Sequence, residues 1–280
     1  MNDSEISINP TLIIETKKGL RWINFRELWH YRELLFFLVW RSVGVRYRQS
    51  VIGAGWAIIQ PLMTMAVFTV IFGRFAKIPS DGIPYPIFSY CALLPWTYFS
   101  RSLSGSSDSL VGAQNLITKV YFPRLILPLS DVLSGLVDFV IAFFILILMM
   151  FWYGIAPNWG VLLLPLFILM SMVTALGTGL WLTALNVKYR DIKFVVPFFV
   201  QVWMYGSPVI YSSTMIPEQF RSLYALNPMV GVIEGFRWAL VGKPAPDWTM
   251  IAVSSTVVGI MLSSGLLYFR KMEKTFADII

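Results

Sequence analysis

From Phe139 to Val187 the chain runs 49 residues without a single Asp, Glu, Lys or Arg. About 20 apolar residues span the hydrocarbon core of a bilayer as a helix, so this run is long enough to cross lipid twice. It is broken once, at Tyr153-Gly154-Ile155-Ala156-Pro157-Asn158-Trp159. Gly, Pro and Asn favour a turn there, and Tyr and Trp suit the headgroup region, which implies two membrane helices joined by a tight hairpin.

The rest of the chain fits that solvent. Of 280 residues, 57% are hydrophobic and 13% charged, about half the charge of a soluble protein, which describes one polytopic membrane domain. Cys91 is the only cysteine and His30 the only histidine, so neither a disulfide framework nor a zinc or haem site is expected from this chain. The first thirty residues lack the apolar core and small-residue cleavage site of a secretory signal, so the amino terminus is expected to be retained.

Six spans can be placed, about Ala54 to Phe72, Pro84 to Phe99, Leu125 to Trp152, Gly160 to Leu185, Phe194 to Tyr211 and Thr249 to Phe269. An even count puts both termini on one side. That side then carries 17 of the 22 Lys and Arg, leaving Arg74, Lys77, Arg221, Arg237 and Lys243 outside, so both termini are expected in the cytoplasm. The net charge of +7 is therefore read as membrane orientation, with no nucleic-acid partner. Within Leu20 to Trp40, Trp22, Phe25, Leu28 and Trp29 lie at helical spacing against Arg21, Arg26, Glu27, Arg32 and Glu33. The apolar run Leu34 to Trp40 is too short to span, so an amphipathic helix in the cytoplasmic interface is expected. Between Met215 and Trp248, prolines 217, 228, 244 and 246 cut a half-apolar stretch into pieces too short to cross, which predicts re-entrant half-helices. Ser171, Ala175, Gly179 and Thr183 form a small-residue face for close helix packing, with internal packing as the default reading.

The fold class expected is thus an all-α integral membrane protein of six transmembrane helices, with an interfacial helix before the first and re-entrant half-helices before the last. Residues 1–50 form a cytoplasmic segment, 51–270 the membrane domain and 271–280 a cytoplasmic tail. Within the domain, about 114–125 is a cytoplasmic docking segment and about 215–248 the re-entrant stretch.

Signatures of catalysis and nucleotide binding fail. Gly242-Lys243 is followed by Pro244, with Arg237 where a phosphate loop needs its first glycine, and Gly177-x-Gly179 meets Leu182 where a dinucleotide fingerprint needs a third. Asp131 and Asp138, seven residues apart, share one face of the third span and are read as facing the bundle interior or pairing with cytoplasmic arginines. They form no chain of acids across the membrane, so a proton-driven pump is disfavoured. Aromatics are abundant, at 16%, and Tyr85, Tyr90, Trp96, Tyr98, Phe99, Trp203, Tyr205 and Tyr211 are candidates for a surface along which sugar rings slide. Interface belts and core packing explain the same residues. Asn115 to Pro128 is an apolar-basic stretch with two prolines that can neither span nor float free, and it reads as a docking element. Arg46-Tyr47-Arg48-Gln49-Ser50 and Asn186-Val187-Lys188-Tyr189-Arg190-Asp191-Ile192 add basic loops suited to a protein or an anionic headgroup.

In these residues the chain resembles the membrane subunit of bacterial ABC exporters for cell-surface polysaccharides, the O-antigen, capsule and teichoic-acid permease family. The resemblance covers nearly the whole chain. It rests on Tyr47-Arg48-Gln49-Ser50-Val51-Ile52-Gly53-Ala54-Gly55-Trp56 running to Gln60-Pro61, on Lys119-Val120-Tyr121-Phe122-Pro123-Arg124, and on Leu185-Asn186-Val187-Lys188-Tyr189-Arg190-Asp191. It continues in Ser207-Pro208-Val209-Ile210-Tyr211, Leu226-Asn227-Pro228-Met229, Glu234-Gly235-Phe236-Arg237 and Phe269 to Asp278. Ile52 stands where the family most often has Leu.

The resemblance implies a non-catalytic permease in the bacterial inner membrane. Two copies would form the pore and two copies of a separate ATPase would bind the ATP and magnesium, with an undecaprenyl-pyrophosphate-linked polysaccharide as cargo. Leu116, Ile117, Lys119, Val120, Tyr121, Phe122, Pro123 and Arg124 would form the coupling helix on the ATPase. Asn227, Pro228, Glu234 and Arg237 would shape a periplasmic gate. Arg46, Arg48, Lys188 and Arg190 are the candidates for the lipid pyrophosphate, on charge and location. A drug or small-lipid exporter subunit, and an ATPase-independent enzyme or flippase for polyprenyl-linked sugars, stand as alternatives.

Overall fold

A computed structural model of the chain describes residues 25–48, 52–242 and 246–276. The first turns of the expected amphipathic helix, residues 49–51 of the first basic motif, Lys243 with Pro244, and the last four residues of the tail lie outside them. Among the described residues every regular element is helical. Among the described residues, four helical stretches are long and apolar enough to cross a membrane: Trp56–Phe75, Ile126–Trp152, Trp159–Lys188 and Trp248–Glu273.

The amino-terminal helices are α1 (Phe25–His30) and α2 (Arg32–Arg48). α2 packs on the helix spanning Ile126–Trp152, burying Leu38 and Val43 and leaving Phe36, Phe37 and Trp40 exposed. Helix α3 (Trp56–Phe68) widens into π turns over Thr69–Phe75. Helix α4 (Tyr85–Gly112) is followed by a short α5 (Gln114–Ile117) and then α6 (Ile126–Trp152). The hairpin expected after Trp152 is present: Gly154 takes a positive φ of 65° and Asn158 caps the next turn by accepting from the Gly160 N–H at 2.7 Å. That turn, Trp159–Leu163, leads into α7 (Leu164–Lys188). Four further helices follow: α8 (Ile192–Tyr205), α9 (Glu218–Tyr224), α10 (Pro228–Val241) and α11 (Trp248–Glu273).

α4 and α7 are the axis of the bundle. α4 packs along α6 and α7, and α7 packs along α11. The small-residue face of α7 explains how they approach. Ser171, Ala175, Gly179 and Thr183 are all buried, a methyl on Gly179 would lie 2.9 Å from the Ser106 Cβ, and Thr183 Oγ1 donates to the Ser106 carbonyl at 2.6 Å. On the neighbouring face, a methyl on Gly177 would lie 2.8 Å from the backbone nitrogen of Leu262 in α11.

Two boundaries differ from expectation. α4 does not end near Phe99 but continues thirteen residues to Gly112, through Ser102-Leu103-Ser104-Gly105-Ser106-Ser107-Asp108. That stretch carries little hydropathy, yet its small side chains let α6 and α7 close on it, and Ser102, Ser106 and Ser107 are buried. Arg101 therefore lies within a helix, not in a loop. The stretch from Phe194 to Tyr211 is helical only to Tyr205, because Gly206 and Pro208 stop it and residues 206–211 turn back into the bundle.

Candidate functional site

The loop between α4 and α6 is held by a second apolar core at one end of the bundle. Leu38, Leu110, Phe122, Leu125, Ile126, Leu127, Leu180, Ala184, Val187, Phe269 and Phe276 form it, so α2, α4, α6, α7 and α11 converge under this loop. Arg124 donates through Nη1 to the Glu273 carbonyl and sits over the Phe276 ring, its Cζ 5.8 Å from the centroid. Beside it, Asn186 Nδ2 donates to Asp108 Oδ1 at 3.0 Å and to the Ser107 carbonyl at 3.1 Å, fastening the end of α7 to α4.

The expected coupling helix over 116–124 is therefore much shorter. Only Gln114–Ile117 is helical, followed by a turn, because Pro123 and the inward pull of Phe122 draw the chain back to the core. Leu116 and Ile117 pack partly against that core, whereas Lys119 and Val120 face outward. Tyr121 is 85% exposed and Phe122 is 5% exposed. A bare aromatic ring thus stands on a loop anchored on both sides, a shape suited to insertion into another protein. Lys188 at the end of α7, Arg190 in the loop after it and Arg48 at the end of α2 are all exposed.

At the other end, residues 206–211 leave helix geometry inside the protein and their carbonyls need donors. Asn227 and Arg237 supply them. Asn227 Nδ2 donates to the Gly206 carbonyl and to Ser207 Oγ, both at 2.9 Å, while its Oδ1 accepts from Trp203 Nε1 at 2.9 Å and caps α10 through the Met229 N–H at 3.0 Å. Arg237, only 1% exposed, donates to the carbonyls of Val209 at 3.0 Å and Tyr211 at 3.3 Å. Its charge is met by Glu234 at 3.2 Å and by the Phe88 ring, 3.6 Å from centroid to Cζ. Arg237 thus belongs to the core, not to an outer loop as its sequence position suggested. All of α10 from Pro228 to Leu240 is buried. In the adjoining α9, Tyr224 Oη donates to Tyr211 Oη at 3.1 Å, and burial pushes the Tyr224 phenol well above its ordinary pKa.

The eight aromatic candidates divide. Tyr85, Tyr90, Trp96, Tyr98 and Phe99 are buried within the chain. The three tyrosine hydroxyls among them donate to the carbonyls of Ile210 (2.8 Å), Ala142 (3.2 Å) and Val132 (3.1 Å), as phenols in an apolar interior must. In this conformation they serve helix packing. Trp203 and Tyr211 are partly buried, and Tyr205 is exposed on α8 beside Phe198 and Val202.

Arg46 also turns inward. Its Nη1 bonds Asp138 Oδ2, its Nη2 donates to Ser134 Oγ at 3.0 Å, and Ser42, one turn earlier, donates to Asp131 Oδ1 at 3.3 Å. The two aspartates thus find partners in the bundle interior, as their shared face implied. Sequence reasoning missed a third member, Arg101, whose Nη1 lies 2.9 Å from the same Asp138 oxygen. The available signal was an acid inside a span, which requires a cation.

Comparison with known proteins adds the following. A profile described as ABC-2 type transporter matches residues 33–241. The O-antigen export system permease protein RfbA of Myxococcus xanthus is 33% identical over 258 residues, covering 91% of this chain and 98% of the relative. The protein of the same name from Klebsiella pneumoniae is 28% identical over 252 residues, 89% and 95% of the two chains. The polysialic acid transport protein KpsM of Escherichia coli is 24% identical over 241 residues, 84% and 91%.

Proposed function

Because this chain belongs to the ABC-2 type transporter family, we propose that it is the membrane subunit of an ATP-driven exporter. In this reading it moves an undecaprenyl-pyrophosphate-linked polysaccharide of the O-antigen kind from cytoplasm to periplasm through a homodimeric channel. The observation that carries the reading is similarity along nearly the entire length to O-antigen export permeases.

The subunit would cross the inner membrane six times. The four long apolar stretches are joined in this count by α4, about 42 Å long at 1.5 Å per residue, and by α8 with the turn that follows it. α9 and α10 would be the re-entrant pair: α10 is buried within the protein from Pro228 to Leu240, which satisfies the condition for such a segment at membrane depth. Both termini and the 113–125 loop would face the cytoplasm. There Tyr121 would enter a groove of a separate ATPase that binds ATP and magnesium. The second apolar core would then carry the push from this loop into α4, α6, α7 and α11 together. Arg48, Lys188 and Arg190 would meet the pyrophosphate at the same face, while Asn227, Pro228, Glu234 and Arg237 would hold the periplasmic lip in shape.

Deleting the gene is expected to abolish surface polysaccharide and leave lipid-linked polymer inside the cell. Affinity purification of the subunit should bring down a protein with a Walker phosphate loop. Normal surface polysaccharide in the deletion strain, or a subunit that transports without such a partner, would refute the reading.

A further inference from the structure

Tyr121 projects from a stretch with little backbone bonding of its own. Hydrogen bonds between backbone groups stop at Val120, whose N–H donates to the Leu116 carbonyl at 3.0 Å, and resume at Ile126, which donates to the Pro123 carbonyl at 3.0 Å. Among the described residues, no amide between 121 and 125 donates to another backbone group. A loop built this way takes its shape from its side chains. Phe122, buried in the second apolar core, is one anchor.

Arg124 is the other, and what it holds is the end of the last helix. The final carbonyls of an α-helix have no partner within it and carry the negative end of its dipole, so a cation is well placed there. Arg124 Nη1 donates to one of them, the carbonyl of Glu273. Glu273 meanwhile spends its carboxylate on Arg270 at 2.9 Å and offers Arg124 the backbone. Thr275 closes the turn that follows, donating to the Met272 carbonyl through its N–H at 2.9 Å and its Oγ1 at 2.8 Å. Phe276, three residues past the end of α11, is fully buried, edge-on to Phe269 with centroids 5.4 Å apart and faced by the Arg124 guanidinium. The loop and the tail thus hold each other through one arginine and one ring.

We propose that Arg124 and Phe276 are positioning residues for docking: the end of α11 is the seat that holds residues 118–123 with Tyr121 outward, and the tail as far as Phe276 is required for engaging the ATPase without touching it. This rests on the docking reading above. It moves Arg124 from a contact on the ATPase, the role implied by the family resemblance, to a contact within the subunit.

The test uses the full-length subunit in nanodiscs, with a nitroxide spin label at Val120→Cys; Cys91 is fully buried, so the label is site-specific. The spectrum of the subunit alone should report an ordered site, become mobile in Arg124→Gln and Phe276→Ala, and return part of the way in Arg124→Lys, which still presents a cation to the carbonyl. Should Phe276→Ala fail to fold, Arg124→Gln, which opens no cavity in the core, decides. On the unlabelled proteins, affinity for the purified ATPase should fall about tenfold or more in both variants. It should stay within about twofold of wild type in Lys271→Gln, which removes an exposed charge from the same end of α11 and leaves the clamp intact. An ordered label in folded Arg124→Gln would overturn the clamp, and a mobile label with wild-type affinity would overturn its part in docking. An equal loss in Lys271→Gln would show that charge alone matters and overturn the positioning assignment. If the wild-type subunit binds no ATPase, the docking reading fails, and the spectrum of the subunit alone still decides whether the clamp exists.

Discussion

Replacing Arg237 by Met keeps most of the side-chain length and removes the charge from the most enclosed ion pair described. The variant strands the Glu234 carboxylate and leaves the Val209 and Tyr211 carbonyls without the donor they now have. Removing one partner of a buried pair costs about 3–5 kcal/mol. Each carbonyl left unsatisfied is worth about 1 kcal/mol or more, part of it already within that figure, so a loss of about 4 kcal/mol is expected. In a chain of this size that corresponds to a fall in melting temperature on the order of 10 °C. Glu234→Gln should be milder, about 1–2 kcal/mol, because an amide oxygen can still accept from Arg237 and from the Ser213 N–H now 3.4 Å away. The double variant should lose less than the sum of the two, since a neutral amide in place of the Glu234 carboxylate leaves no bare charge behind. The assay is the temperature at which the detergent-solubilised protein loses its monodisperse peak in fluorescence-detected size exclusion. A melting temperature for Arg237→Met within about 2 °C of wild type, or strict additivity of the cycle, would show that the pair does not hold residues 206–211 in place.

Three further outcomes follow from the same geometry. Tyr121→Asp should leave the melting temperature unchanged, because the ring is exposed, while abolishing polysaccharide export; normal export in that variant would count against ATPase docking through this loop. Phe122→Asp, one residue on, should destabilise the subunit by about 3 kcal/mol or more, since it places a charge in the second apolar core, and the same thermal assay reads it. Gly177→Leu should prevent α7 and α11 from closing and lower the yield of folded protein sharply, whereas Gly259→Leu, with open space around it, should not.

Much of this fold can be read from hydropathy. The hairpin between α6 and α7 falls within a residue or two of its expected bounds, because an uncharged run and its Gly-Pro-Asn break are strong, local signals. The far end of α4 was hidden because Ser and Gly score as loop residues, although their small volume is what allows three helices to meet there. An acid inside a span calls for a cation, but that the cation would include Arg101 could not be read, since the two residues are 37 positions apart and their meeting depends on how α4 and α6 pack. Glu234 and Arg237 stand one helical turn apart in the sequence, so their pairing was available, but proline spacing alone did not show that α10 would be buried on all sides. The 115–124 stretch is recognisable in the sequence as apolar and basic. Which of its two adjacent aromatics faces out was settled only by the core beneath.

Everything proposed for transport requires the 113–125 loop to face the ATPase. The most direct measurement is labelling of Tyr121→Cys by a membrane-impermeant thiol reagent, for which the native background is low because Cys91 is fully buried. The cysteine should react in inside-out membrane vesicles, resist labelling in intact cells whose outer membrane has been permeabilised, and become protected when the ATPase subunit is co-expressed. Labelling from the periplasmic side would place the loop away from the ATPase and contradict the central claim.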